Sequence, residues 1–260
     1  DIVIQAAAVT TGIQDVIKRP YIHVTDNAVM NSLLLRSCYE NNVKHFIFFS
    51  CTTMYPNSEK AVSEDDFNHK IEDKYFGVGW TKVYIEKMCE FYSRISETKF
   101  TAIRHSNIYG AYDKFDLERS HVLGATITKV LSSDKNSFEV WGDGSEKRDL
   151  LYVDDLVDFV DKVIEKKNDR FELINIGSGK SISIKDLVEK IISINNKKLS
   201  ITYNNSKPTI KFNLELDIKK ANQKYGWAPS TNLEEGLKKT INWYNENINI
   251  NSYGDISYKK

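Results

Sequence analysis

The chain is short of the residues that mark special environments. Its 260 residues include three cysteines, Cys38, Cys51 and Cys89. They form no metal-ligand spacing and are too few for a disulfide framework. Cys38 and Cys89 lie inside apolar runs and read as reduced core residues, which points to a cytoplasmic home. No apolar run approaches the length of a membrane-spanning helix, and nothing at the start reads as a signal peptide. Neither sign of charge is in excess, with 36 basic and 36 acidic side chains. That excludes the electrostatic case for nucleic acid or an anionic membrane as partner. No internal repeat is present, and no G-x-G-x-x-G or G-x-x-G-x-x-G occurs anywhere. What remains is an ordinary globular composition, 41% hydrophobic and 28% charged, enough for one sizeable core or two packed lobes.

Strand and helix patterns alternate through the first half. "DIVIQAAA" (1–8), "VKHFIFFS" (43–50) and "FTAIRHS" (100–106) read as strands. "DNAVMNSLLLRSCYE" (26–40) has helical spacing, with Ala28, Leu34, Leu35 and Cys38 toward one face. "GWTKVYIEKMCEFYSRI" (79–95) does likewise with Ile85, Met88, Cys89 and Tyr92. The alternation predicts a parallel, doubly wound sheet whose long apolar strands are buried on both faces. Beyond residue 111 the pattern loosens. A helix (121–132) precedes a short pair, "FEVW" and "RDLLYV", joined by "GDGSEK". Asp154 is the expected cap of the next helix, and "FELINIG" (171–177) is a strand. Ser183 is the expected cap of a helix over 183–194, "LSITYN" (199–204) is a strand, and helices near 217–225 and 232–247 follow. The tail after 248 is expected to be frayed.

A doubly wound sheet that binds a dinucleotide opens with a strand, a glycine-rich turn and a helix. That unit is missing here. If "DIVIQAAA" is the fourth strand of such a sheet, it needs a neighbour, since a bare apolar edge invites aggregation. The expectation is a native protein with about 60 further N-terminal residues. The alternative is a different fold that needs no such neighbour.

Several segments together resemble one family. "QAAAVTTG" (5–12), "SCTTMYP" (50–56), "RHSNIYGAYDKF" (104–115), "SHV" (120–122) and "VWGDGSEKRDLLYVDD" (140–155) are similar to the extended short-chain dehydrogenase/reductases that act on nucleotide sugars, and among these to the GDP-L-fucose synthase group. The resemblance implies a Rossmann-type α/β fold with a smaller C-terminal α/β substrate lobe. It implies a dinucleotide-binding part over 1–110 and about 154–177, and a nucleotide-sugar lobe over 111–153 and 178–248, with 249–260 as tail. It implies NADP or NAD as cofactor, with NADP favoured, a nucleotide-activated 4-keto-6-deoxy sugar as substrate, and a homodimer paired through the helices near 26–41 and 79–95.

Each motif also has a plainer reading. "WGDGSEKRD" contains the Asp-Gly of a tight turn. As function, Trp141 offers an apolar wall and Arg148 a fork for diphosphate oxygens. Asn107 stands at a strand end, where open sheets bind ligands, or simply forms a turn. The alanines from Ala6 let a backbone approach a cofactor, or fill a core. His121 suits proton transfer near neutrality, or merely opens a helix. Lys129, Lys207 and Lys211 reach toward a diphosphate, or are solvated. By resemblance, the cofactor set is Ala6, Ala7, Ser50, Cys51, Lys82, His105, Asn107, Ile108 and His121. The substrate set is Asn107, Lys129, Trp141, Arg148 and Lys211.

The catalytic centre departs from the family pattern. That pattern asks for a Ser or Thr, a Tyr, and a Lys four residues after the Tyr, so that the two share a helix face. Lys82 is present, but Val78 stands where the tyrosine belongs and Cys51 where the hydroxyl belongs. Thr53 occupies the place of an acidic cysteine in the epimerising members. The candidate catalytic residues are therefore Lys82, His121, Cys51 and Thr53. Three readings stand open. In the first, Tyr75 folds back as the acid, with Ser50 or Thr52 in place of Cys51. In the second, His121 or Cys51 supplies the proton for a related substrate. In the third, the protein binds nucleotide sugar or cofactor without catalysis.

Overall fold

The computed structural model describes residues 1–10, 19–117, 119–133, 136–166, 169–207, 209, 212–250 and 256–258. In chain order the elements are β1 (Ile2–Gln5), α1 (Pro20–Glu40), β2 (His45–Phe49), α2 (Phe76–Ile95), β3 (Lys99–His105), β4 (Asn107–Tyr109), α3 (Val122–Ser132), β5 (Ser137–Trp141) and β6 (Lys147–Tyr152). They continue with α4 (Val153–Glu165), β7 (Phe171–Ile176), β8 (Ser181–Ser183), α5 (Ile184–Ile194), β9 (Ser200–Asn204), α6 (Lys219–Tyr225), α7 (Leu233–Asn247), β10 (Ile248–Ile250) and β11 (Ile256–Tyr258).

The apolar runs of the first half form a parallel sheet in the order β1-β2-β3-β7. Side chains alternate between its faces. Phe46, Phe48, Phe100 and Ala102 pack on Leu35 and Cys38 of α1 and on Ile85 and Cys89 of α2. Ile47, Ile103, Ile174 and Ile176 pack on Phe159, Val160 and Val163 of α4 and on Ala221 and Tyr225 of α6. Helices cover both faces, which is why "HFIFF" runs apolar without a polar break. The doubly wound α/β class is thus as the alternation predicts. β1 is an edge of the sheet and leaves Ile2 and Ile4 more than 40% exposed, at 41% and 47%.

A second core lies beyond the carboxyl ends of these strands. Leu123, Ile127 and Val130 of α3, Phe138 and Val140 of β5, Leu187 and Ile191 of α5 and Leu237 and Ile241 of α7 form it. Two small sheets serve it, β4-β6-β8 and β5-β9. The expected pairing of "FEVW" with "RDLLYV" is corrected here. β5 pairs in parallel with β9, and β6 pairs with β4 in parallel and with β8 antiparallel. The link between them carries Gly142 and Gly144 at φ +76° and +71°, so it turns twice through the left-handed region instead of closing a hairpin.

Two further expectations are corrected. Asp154 does not cap α4; Tyr152 holds the cap position and Asp154 lies in the first turn, where its charge still favours the helix dipole. The tail is not frayed throughout, because β10 and β11 pair antiparallel and Tyr258 packs edge-on to Trp243 at 6.3 Å. The inner face of α1 holds Leu34, Leu35 and Cys38 as expected, and His23, Asn27 and Asn31 are buried on the same helix. The amides have a task. Asn27 exchanges two hydrogen bonds of 3.0 Å with the Val9 backbone, and Gln5 donates to Asn31 at 3.1 Å. They hold the segment that leaves β1. Ser183 does cap α5, accepting from the Asp186 amide at 3.0 Å.

Beneath the loop that follows β2 lies a buried polar network. Glu86 of α2 takes a forked pair of hydrogen bonds from Arg104 of β3, at 3.0 and 2.7 Å, and a third from the Ser50 hydroxyl at 2.6 Å. Both charged side chains are under 5% exposed, at 3% and 4%. Arg104 also donates to Tyr55 Oη at 3.0 Å, which donates to Asn175 Oδ1 at 2.6 Å. A buried ion pair costs most when one partner loses its charge, because the other stays desolvated and unpaired. Glu86→Gln is therefore expected to lower unfolding stability by about 3–5 kcal/mol. Urea denaturation followed by circular dichroism checks this; a loss below about 1 kcal/mol, the scale of a solvent-exposed pair, would contradict it.

Candidate active site

The candidate side chains fall into two groups, one at the carboxyl ends of β2 and β3 and the other in the small lobe. The first is built on α2 and the strand ends. Lys82 sends its ammonium to the Phe49 carbonyl at 2.8 Å, over the Phe48 ring at 4.8 Å. Burial pushes it below the usual lysine range, with Cys51 and Glu86 pulling it back up. Cys51 Sγ lies 2.9 Å from Thr53 Oγ1. Helix α2 runs close over this loop: a Cβ on Gly79 would come within 3.3 Å of the Thr53 carbonyl and 2.9 Å of Ile71. His105, at the end of β3, donates from Nδ1 to the Ser106 carbonyl at 2.8 Å, because a carbonyl can only accept. Burial pushes this imidazole down to about 4, with Lys82 and His121 adding to the effect, so it is neutral at pH 7. His121 holds the N-cap position of α3. It too lies below the ordinary value of 6.5, by desolvation first and then by the charge of Lys114.

The second group belongs to the small lobe. Trp141, at the end of β5, is flanked by two ammonium groups, Lys129 at 5.2 Å and Lys207 at 5.7 Å from the ring centre. Arg148 of β6 donates from Nη1 to the Phe212 and Lys147 carbonyls. A strap, residues 212–217, runs between the groups. Asn213 accepts from the Lys147 amide at 2.8 Å, its own amide donates to Asn57 at 2.6 Å, and Leu216 bridges to Val62 in parallel. The strap thus bonds both to the lobe and to the loop that carries Cys51.

Of the residues singled out in the sequence, Lys82, Cys51, Thr53, His105 and His121 fall in the first group; Lys129, Trp141 and Arg148 fall in the second. Asn107 and Ile108 lie half-buried on β4 between them. Ala6 and Ala7 are exposed on the segment leaving β1. Ser50 is placed differently from the expectation. It is 1% exposed with its hydroxyl committed to Glu86, so it does not present that hydroxyl in place of Cys51. Lys211 lies outside the described residues.

Lys114 and Glu86 escaped the sequence reading. Lys114 donates to the Thr10 carbonyl at 2.8 Å and sets the charge beside His121. Its place inside "NIYGAYDKF" was the available signal. Glu86, four residues after Lys82, carried none, since its partner Arg104 is distant in sequence.

A nicotinamide dinucleotide fits part of this site. Among the described residues the Lys82 ammonium has one hydrogen-bond acceptor, Phe49 O, which leaves two N–H groups for ribose hydroxyls. No glycine-rich phosphate cradle occurs in these 260 residues.

Comparison with known proteins agrees with this geometry. Residues 1–177 match the NAD dependent epimerase/dehydratase family. A GDP-L-colitose synthase of Yersinia pseudotuberculosis is 30% identical over 248 residues, 93% of this chain and 80% of that protein. A GDP-L-fucose synthase of Azorhizobium caulinodans is 27% identical over 249 residues, 94% of this chain and 80% of that protein. The solved UDP-glucose 4-epimerase of Thermotoga maritima, with UDP-glucose, superposes with a TM-score of 0.80 at 26% identity, covering 94% of this chain and 77% of that one. A doubly wound sheet with its lysine helix and small lobe, matched to the family over more than half its length, makes this chain a member of the NAD-dependent epimerase/dehydratase family of enzymes.

Proposed function

We propose that the protein converts a GDP-linked 4-keto-6-deoxy sugar, by epimerisation, reduction or both, with NADPH or NADH. The observation that carries this reading is the pair of groups linked through Phe212, which meets Tyr75 and accepts from Arg148: Lys82, Cys51 and two neutral histidines in one, Trp141 with Lys129, Lys207 and Arg148 in the other. The second group suits a nucleoside diphosphate, with an aromatic face for a ring and cations for phosphate oxygens. The first suits a ketone. Lys82 would hold the nicotinamide ribose, with Ala6, Ala7, Asn107 and Ile108 along the cofactor. The bound dinucleotide supplies hydride. His121, neutral near pH 7, would accept the proton on the carbon next to the ketone, and Cys51 with Thr53 would lie beside the carbonyl oxygen. Residues 1–110 and about 154–177 would form the cofactor part, and 111–153 with 178–248 the sugar part. The relatives named above support the GDP sugar class.

Val78 favours a second reading, a homologue that binds nucleotide sugar without turning it over. The two readings separate in one assay, nicotinamide oxidation by the full-length protein offered GDP-4-keto-6-deoxy-mannose. Turnover is expected; calorimetric binding of the sugar nucleotide without turnover would favour the second reading. The pH profile tests His121. A base must be unprotonated, so the acid limb of kcat/KM is expected to have its midpoint below 6.5. His121→Asn is expected to lower kcat by about 10²–10⁴ and remove that limb.

We also propose a homodimer through α1 and α2. These helices pack on each other, and their outer faces expose Val29, Leu33, Tyr84 and Phe91, each more than half exposed at 51–64%. So much adjoining apolar surface on a helix pair suits a partner. Leu33→Glu combined with Tyr84→Glu is expected to convert a dimer to a monomer in sedimentation equilibrium, with the circular dichroism spectrum unchanged.

A further inference from the structure

Val78 leaves the reaction without a phenol at the usual place, and the structure offers another. Tyr75 stands seven residues before Lys82 and ends the short 3-10 turn, Asp73–Tyr75, that leads into the helix carrying the lysine. It holds the N-cap position of α2. Its ring meets Phe212 edge-on at 5.8 Å, and the Phe212 carbonyl is the group that Arg148 holds. The preceding residue, Lys74, donates to the Thr209 carbonyl at 2.8 Å, which fixes this turn against the chain leading into the strap. Cys51 and Tyr75 both pack on the cluster of Met54, Tyr55, Val83 and Phe212. Tyr75 therefore sits at the junction of the two groups, next to Cys51 on one side and Arg148 on the other.

Its hydroxyl is also available. Among the described residues it has no hydrogen-bond partner, and it is not one of the fully buried unpaired hydroxyls, which belong to Ser106, Ser120 and Tyr244. Tyr55, the other phenol packed on this cluster, is committed to Arg104 and Asn175. Burial raises the Tyr75 phenol above its ordinary range, with Arg148 opposing and Cys51 adding, so at pH 7 it holds a proton to give.

We propose that Tyr75 is the proton donor to the keto oxygen of the substrate, in place of the tyrosine that Val78 displaces. This rests on the reductase reading above. In the step, hydride from a reduced nicotinamide dinucleotide forms the new C–H bond, the carbonyl π bond breaks, and the oxygen takes the proton of Tyr75 Oη to become an alcohol. The phenolate left behind regains its proton from solvent.

The test is Tyr75→Phe in the full-length protein, which keeps the ring on Phe212. The probe is GDP-4-keto-6-deoxy-mannose with NADPH, followed by loss of nicotinamide absorbance. Calorimetry with the same sugar nucleotide reports binding, and thermal melting reports the fold. The expected result is a fall in kcat of about 10²–10⁴ with sugar-nucleotide affinity and melting temperature unchanged. A variant that keeps wild-type kcat overturns the assignment while leaving the reductase reading intact. Equal losses in affinity and kcat/KM, with kcat unchanged, also overturn it, because they mark a binding contact. A wild-type protein with no turnover overturns both.

Discussion

The site depends on a carboxylate that never faces a ligand. Glu86 is buried in α2, yet it bonds Ser50 at the end of β2 and Arg104 in β3. Arg104 passes the connection to Tyr55 and the Glu64 carbonyl, and Asn175 closes it on β7 through Tyr55 and the Val62 carbonyl. Three strands, a helix and the loop from Ser50 to Glu64 are thus joined by one network in a medium of low dielectric, with charge-assisted bonds at Glu86 and Arg104 and neutral ones at Asn175. Such a network is stable only when every member is satisfied. Its geometry therefore admits one placement of the loop, and that loop carries Cys51 and Thr53. Lys82 stands one helical turn before Glu86, so the same anchor sets the helix that presents the lysine.

The strap at 212–217 extends this control to the small lobe. Its apolar side chains, Phe212, Leu214 and Leu216, are buried against Met54, Tyr55, Val62 and Val83. Its polar positions bond outward, Asn213 to Lys147 and Asn57, and Glu215 to Ser181. Asp149 of β6 accepts from the Leu216 amide at 3.1 Å and from Ser178 at 2.7 and 2.8 Å. A period-two pattern on a segment with a single bridge to a neighbour does the work of a sheet strand between lobes. Its Phe212 accepts from Arg148 and meets the Tyr75 ring, so the strap joins Arg148 to the cluster on which Cys51 and Tyr75 pack.

Much of this was legible in the sequence where the pattern was local and strongly periodic. The strands "HFIFF" and "FTAIRH" and the helix ending "EFYSRI" lie where apolar period and length put them. Ser183 caps its helix because an N-cap needs only residues within one turn. Pairing beyond a turn was not legible. Asp-Gly between two apolar runs argued for a hairpin, but partners for β5 and β6 come from β9, β4 and β8, which are distant in sequence and win by burying Phe138, Val140 and Leu150 in one core. The burial of Asn27 and Asn31 on α1 carried no sequence signal, because only the path of the chain after Gln5 gives their amides interior partners.

The sequence by itself determined the class of fold, the lysine on its helix and the residue types of the site, since these depend on periodicity and on motifs of a few residues. It also determined that the usual tyrosine is absent. Only the tertiary structure decided which hydroxyls remain usable. Ser50 and Tyr55 are removed from the candidates by Glu86, Arg104 and Asn175, whereas Tyr75 keeps its hydroxyl unpaired beside Cys51 and Arg148. The reason is that a hydroxyl bonded in the core pays for its own desolvation and cannot serve a ligand as well, and which hydroxyls are so bonded follows from contacts between residues far apart in the chain.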